Sequence, residues 1–192
     1  MESQYGRIVA AMADLLAQGG FDAVSVRRVA TRAGVSIGSV QHHFPTKDLM
    51  LQAANDQLGG VFMERLHQEA AEEKPPEERL RGAVLALVNP DPAHRKLSVL
   101  WALRMARAAV DEPTARRHRY DRAAVEKLLA QLLVESRPNI CEEHAKNRAA
   151  TLLAVADGLA CAIVVEPARM PPERAVELID AALRVALDER QP

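Results

Sequence analysis

The chain has 192 residues, 48% hydrophobic and 27% charged, with a formal net charge of −1. That balance suits a globular protein with a sizeable core; it excludes a disordered chain and carries no global basic signature of nucleic-acid binding. Aromatics make up only 3%, so the core must come from Leu, Val, Ile, Ala and Met. The two cysteines, Cys141 and Cys161, lack CxxC spacing, which points to reduced thiols in a helical core rather than a zinc site or a disulfide. There is no long apolar run behind a basic N-terminal segment, and no stretch of about 18 uninterrupted apolar residues. A cytoplasmic protein without a membrane span is therefore expected.

Ile8, Met12, Leu15 and Leu16 fall at i, i+4, i+7 and i+8, one face of a first helix that Gly19-Gly20 ends. Ser25 is placed to cap a second helix, in which Val26, Val29, Ala30 and Ala33 recur at helical spacing until Gly34. Ser36 caps a third short helix with Val40 and Phe44 facing inward, and Pro45 breaks it. Thr46 caps a fourth that begins at Lys47 and is expected to run to about Glu73. Five more helices follow, over about 77–88, 94–110, 114–135, 142–165 and 173–187, separated by Pro-rich breaks at Pro75-Pro76, Pro90-Pro92, Pro113, Pro138 and Pro171-Pro172. No segment sustains strand alternation. An all-α protein of about nine helices is predicted.

The stretch from Ser25 to Leu51 carries the functional information. A glycine turn, Ala33-Gly34-Val35-Ser36, lets two short amphipathic helices cross steeply. With Val35, Val40 and Phe44 turned inward, the third helix offers Ile37, Gly38, Ser39, Gln41, His42 and His43 outward. A thin rod carrying small or polar groups fits the major groove of B-DNA, about 12 Å wide.

The residues Ser25, Val26, Arg27, Ala30, Ala33, Gly34, Val35, Ser36, Gly38, Val40, His43, Phe44, Lys47 and Leu51 (the last one position off) resemble the signature of the tetracycline-repressor family. The resemblance covers about the first 55 residues closely. It implies a three-helix helix-turn-helix DNA-binding domain over residues 1–47, and a larger helical ligand-binding and dimerisation domain over residues 48–192. It also implies roles. Ser25 and Arg27 would contact phosphate at the start of the second helix. Ser36, Ile37, Gly38, Ser39, Gln41, His42 and His43 would meet the groove. Lys47 would clamp the DNA backbone, where a helix N-terminus also favours an anion.

The family usually has tyrosine where this chain has Gln41. Glutamine can form a bidentate pair with adenine; contact with phosphate or water is the alternative. Ile37 suits a thymine methyl or stands as an ordinary surface residue. Adjacent His42 and His43 point about 100° apart on a helix and chelate poorly, so no metal is expected. Over the first 48 residues five cations (Arg7, Arg27, Arg28, Arg32, Lys47) oppose four acids (Glu2, Asp14, Asp22, Asp48), a net of +1. Each subunit should then make few phosphate contacts, and two subunits are needed for useful binding.

Farther on, the segment from Leu97 to Ala106 with Trp101, followed by Pro113, Arg116, His118 and Tyr120, resembles the choline-responsive subset of that family. Candidates for an apolar ligand cavity with a few polar groups are Met63, Leu66, His67, Leu85, Trp101, Arg104, Met105, Tyr120, Leu128, Leu152 and Asp157. Taken singly, each is better explained as plain core or surface. A buried Asp157 needs a partner, either Arg104 or a cationic ligand; an exposed or interface position is the alternative.

The helix around Leu152–Val164 is apolar nearly all round, with Ala154, Gly158 and Ala162 every four residues. Together with Ala175, Ile179, Ala182, Leu183 and Ala186 of the last helix it is expected to build a four-helix homodimer interface, as in the family. An intramolecular core is the alternative.

Motifs of phosphate loops, serine hydrolases and metalloproteases are missing, and no enzyme activity or cofactor is expected. The sequence reads as a regulator, most simply a repressor, that binds a palindromic double-stranded DNA operator as a dimer and is released by an unidentified small-molecule effector. Control by a protein partner is the alternative.

Overall fold

The computed structural model describes residues 3–71 and 73–188. Among them are nine α-helices and no strand: α1 Gln4–Gly19, α2 Val26–Ala33, α3 Ile37–His43, α4 Lys47–Ala71, α5 Pro76–Val88, α6 Arg95–Ala108, α7 Glu112–Ser136, α8 Glu142–Val165 and α9 Pro172–Ala186. The helix expected from Lys47 to about Glu73 ends at Ala71, and Glu72 lies outside the described residues. Short 3₁₀ turns at Phe21–Ala23 and Pro92–His94, which hydrophobic periodicity is too long-ranged to register, lead out of α1 and into α6.

Local chemistry sets these boundaries. The hydroxyls of Ser3, Ser25 and Ser36 accept hydrogen bonds from the amides of Gly6, Arg28 and Ser39, capping α1, α2 and α3. Gly34 ends α2 at φ 65° and ψ 41°, a left-handed conformation that a side chain would disfavour, with its N–H reaching back to Ala30 and Thr31. Asn89 ends α5 in the same region at φ 55°. It is buried, and its side chain accepts from Arg65 at 2.8 Å and donates to Ser98 at 3.3 Å, which fixes the entry to α6.

Two buried clusters hold the molecule together. The first joins Ile8, Met12, Leu16, Val29, Val40 and Phe44, then continues along α4 through Met50, Leu58 and Phe62 to Leu100 and Trp101 on α6. Packing is thus continuous across the boundary expected at residue 47. The second gathers Leu66, Leu80, Val84, Leu129, Leu133, Leu152, Ile179 and Leu183 from α4, α5, α7, α8 and α9. Each such side chain contributes about 1.5–3 kcal/mol on burial.

α8 is long and apolar enough to cross a bilayer by length and composition, although it contains no uninterrupted apolar run of that length. Here it packs against α5, α6, α7 and α9, a core position that accounts for its apolar character. Both cysteines are free thiols; Cys161 is half-buried, whereas Cys141 lies exposed at the start of α8 rather than in the core.

Candidate functional site

α3 is held by its inner face. Val40 and Phe44 are buried, and the Phe44 ring lies 5.5 Å from that of Tyr5 on α1. The opposite flank is open: Ser36, Ile37, Gly38, Gln41 and His42 are exposed, Ile37 at 48%. Ser25, Arg27 and Lys47 are exposed on neighbouring elements. Two expected contacts are partly engaged inside the protein. The Ser39 hydroxyl is half-buried, 2.9 Å from the Ser36 hydroxyl and 3.4 Å from Gln4 Nε2. The His43 ring is half-buried at 5.8 Å, edge-on to Tyr5. A Cβ on Gly38 would meet only the Ser36 hydroxyl at 3.8 Å, so nothing within the protein demands glycine at this exposed helical position.

Charge on this face is sharpened by ion pairs. Asp14 is bound by Arg32 at 3.0 Å and by Lys96 of α6, which hold its carboxyl below the usual range. Asp48 is paired with Arg107 of α6 at 3.2 Å. Two of the four acids in the first 48 residues are therefore neutralised, while Arg27, Arg28 and Lys47 have no ion-pair partner among the described residues. The same contacts tie both ends of α6 to the helix-turn-helix head.

Between α4, α6 and α7 lies a small cavity of about 20 Å³, lined by Gly59, Phe62, Met63, Leu66, Leu87, Trp101, Arg104, Asp121, Arg122 and Val125. Its polar wall is a charged cluster. Arg104, 1% exposed, donates to Asp121 at 2.5 Å, and Arg117 donates to the other Asp121 oxygen at 3.0 Å. Arg122 pairs with Asp157 at 2.6 Å. The guanidiniums of Arg104 and Arg122 sit 5.8 and 5.0 Å from the Trp101 ring. Burial raises the Asp157 carboxyl and lowers Arg122. His118, stacked 5.4 Å from Trp101, is pushed down to about 4, by burial first and then by the positive charges of Arg104 and Arg122.

Of the expected cavity residues, Met63, Leu66, Trp101 and Arg104 come together here. Leu85 and Leu128 pack against the second cluster and Leu152 lies inside it; Met105 meets Cys161, sulfur to sulfur at 3.9 Å. His67 and Tyr120 face outward, Tyr120 at 72% exposure, because both fall on the solvent sides of their helices. Of the alternatives left open for Asp157, the pair with Arg104 does not form: Arg104 is held by Asp121, and Asp157 by Arg122. Sequence reasoning missed Gly59, Phe62, Leu87, Asp121, Arg122 and Val125. One signal was available, the paired glycines Gly59-Gly60 within an otherwise regular helix. The expected dimer residues divide. Ala154 and Gly158 are exposed on α8 and Ala182 is half-buried on α9. Ala162, Ala175, Ile179, Leu183 and Ala186 lie in the chain's own core, where α5, α8 and α9 pack together.

A helix-turn-helix head with an open second helix, set on a helical bundle with an internal cavity, defines a class of DNA-binding regulators, and comparison with known proteins narrows it. Residues 8–54 match the model of bacterial regulatory proteins of the tetR family, and residues 76–188 match that of the BetI-type transcriptional repressor C-terminal domain. The chain belongs to the TetR family of transcriptional regulators. A transcriptional regulator from Rhodococcus sp. Rha1 is similar, with 36% identity, TM-score 0.84 and 94% of each chain covered. An HTH-type transcriptional repressor of Mycobacterium tuberculosis is 43% identical over 63 residues, 33% of this chain and 34% of that protein, so the match spans about a third of that relative's length. A regulator from Saccharomonospora viridis, solved in complex with choline, has the same fold at 18% identity and TM-score 0.82, with 91% of this chain and 92% of that chain covered.

Proposed function

We propose that this regulator is a repressor that binds a palindromic operator as a homodimer and is released when a small molecule enters the cavity between α4, α6 and α7. The observation that carries the reading is the two-sidedness of α3. Val40 and Phe44 anchor it, while Ile37, Gly38, Gln41 and His42 have no internal task. Glycine on an exposed helix face costs about 1 kcal/mol relative to alanine, so its presence at 38 fits close approach by an external backbone. Ser25, Arg27 and Lys47, with the half-engaged Ser39 and His43, flank this surface as phosphate contacts.

Dimerisation is supported by an outward apolar face. Ala154 and Gly158 of α8 are exposed, and a Cβ on Gly158 would meet nothing within 4 Å. Leu178 and Val185 of α9 are exposed at 40% and 57%. Such a surface is costly to leave in water and lets helices approach closely. Ligand response is supported by the cavity and by its walls. α6 lines it with Trp101 and Arg104, and the same helix holds the head through Lys96–Asp14 and Arg107–Asp48. A neighbour of this fold holds choline, so the architecture accommodates small ligands. A ligand that binds one α6 position better than another shifts the spacing of the two heads.

Selection of bound sequences from random duplex DNA tests the reading. The expected result is a palindrome whose half-sites lie about one helical turn, ~34–36 Å, apart. Enrichment of no sequence would refute operator binding.

A further inference from the structure

We propose that the effector is a small anion with an apolar body, of the carboxylate class, held by hydrogen-bond donors of Trp101 and Arg104. The proposal rests on the ligand-sensing reading above and goes beyond it in naming the chemistry. Its basis is what the cavity wall has already used and what it has left over.

The acids are used. Asp121 accepts from Arg104 through one oxygen and from Arg117 through the other. Asp157 holds Arg122. A cationic ligand would therefore have to displace a guanidinium from its carboxylate, leaving a buried arginine without its counter-charge. The donors are in surplus. Trp101 Nε1 and Arg104 Nε have no hydrogen-bond partner, in side chains 6% and 1% exposed that both line the cavity. Asn55 Nδ2, one turn before Gly59 on α4, is also unpartnered. An indole or guanidinium N–H can only donate, so each needs an acceptor. Leaving such groups buried and unpaired is expensive, and an acceptor-bearing ligand relieves the cost on entry.

The field has the matching sign. Arg104 and Arg122 flank one indole, and the proton is kept off His118 partly by their combined charge. An anion beside Trp101 is attracted by both guanidiniums without breaking either ion pair. Phe62, Met63, Leu66 and Leu87 supply the wall for an apolar body; the cavity as it stands, about 20 Å³, has room for about one water, so the anion enters only as these side chains give way.

The test uses the full chain and matched probes at constant ionic strength: acetate through octanoate, benzoate and phenylacetate, their amides, and choline. Calorimetric titration and thermal shift are read for the natural chain and for Trp101→Phe, which keeps a ring but removes the N–H. The expected result is saturable binding of at least one carboxylate, absent for its amide, with affinity ~10-fold weaker in Trp101→Phe. Should Trp101→Phe not fold, the carboxylate–amide comparison on the natural chain decides alone. Binding of choline but no carboxylate, equal binding of acid and amide, or binding of no probe overturns the proposal. Gel shift on the selected operator separates the two claims: intact operator binding with any of those results sinks only the anion, whereas no operator binding brings down the regulator reading itself.

Discussion

Gln41 and His118 show how differently one side chain can be constrained. Gln41 is exposed and has no structural duty, so its contribution belongs to whatever α3 meets. If it pairs with adenine, Gln41→Ala should relax base preference at one position per half-site, by about 1–3 kcal/mol against the wrong base. Selected-sequence profiles of the two proteins check this; superimposable profiles would assign Gln41 to phosphate or water. His118 is set by its surroundings. Its folded pKa of about 4 lies below the ordinary 6.5, so between these values the unfolded chain binds more protons. The stability owed to the neutral ring is fully present above pH 6.5 and is lost as pH falls toward 4. The melting temperature of the natural chain should therefore fall more steeply across that window than that of His118→Gln. Parallel curves would contradict the assignment.

Among the helices, α4 and α6 do the joining. α4 passes from the head to the cavity, and Gly59 brings its backbone against the buried ion pair. A Cβ there would stand 2.8 Å from Arg104 Nη1 and 2.9 Å from Asp121 Oδ2. Neither group can yield easily, since each is buried and held by the other. Gly59→Ala should destabilise the protein by about 1–3 kcal/mol, whereas Gly60→Ala, with nothing within 4 Å, should not. Denaturant unfolding of the two variants makes the comparison; equal stability would mean that the ion pair relaxes freely. The helices themselves were legible because caps, glycines and prolines mark their ends by local chemistry, as at Ser25, Gly34 and Pro45. The exposed flank of α3 was legible for the same reason, since seven residues need only one buried edge. The cavity was not. Which wall Asp157 or Tyr120 faces depends on the rotation of α7 and α8 against distant helices, and no period within either segment encodes that. α9 illustrates the ambiguity: its apolar stripe could serve either a partner or its own core, and Ile179 and Leu183 serve the core.

On the proposed function, the assembly as a whole has to place two copies of α3 on one duplex. The proposed interface uses the outward sides of α8 and α9, so charge introduced there should separate protomers without disturbing the core. Leu178→Glu with Val185→Glu is expected to sediment as a monomer and to bind operator far more weakly, because each head alone makes few phosphate contacts. A dimer that survives both changes would locate the interface elsewhere.

The central claim is that the exposed flank of α3 reads DNA. The most direct measurement is fluorescence anisotropy on the selected operator, comparing the natural chain with Ile37→Glu/Gln41→Glu. Both positions lie outside the core, so the melting temperature should be unchanged while affinity falls by ~100-fold or more, through lost base contacts and added negative charge in each of two half-sites. A variant that keeps both its stability and its operator affinity would show that this flank is not the reading surface.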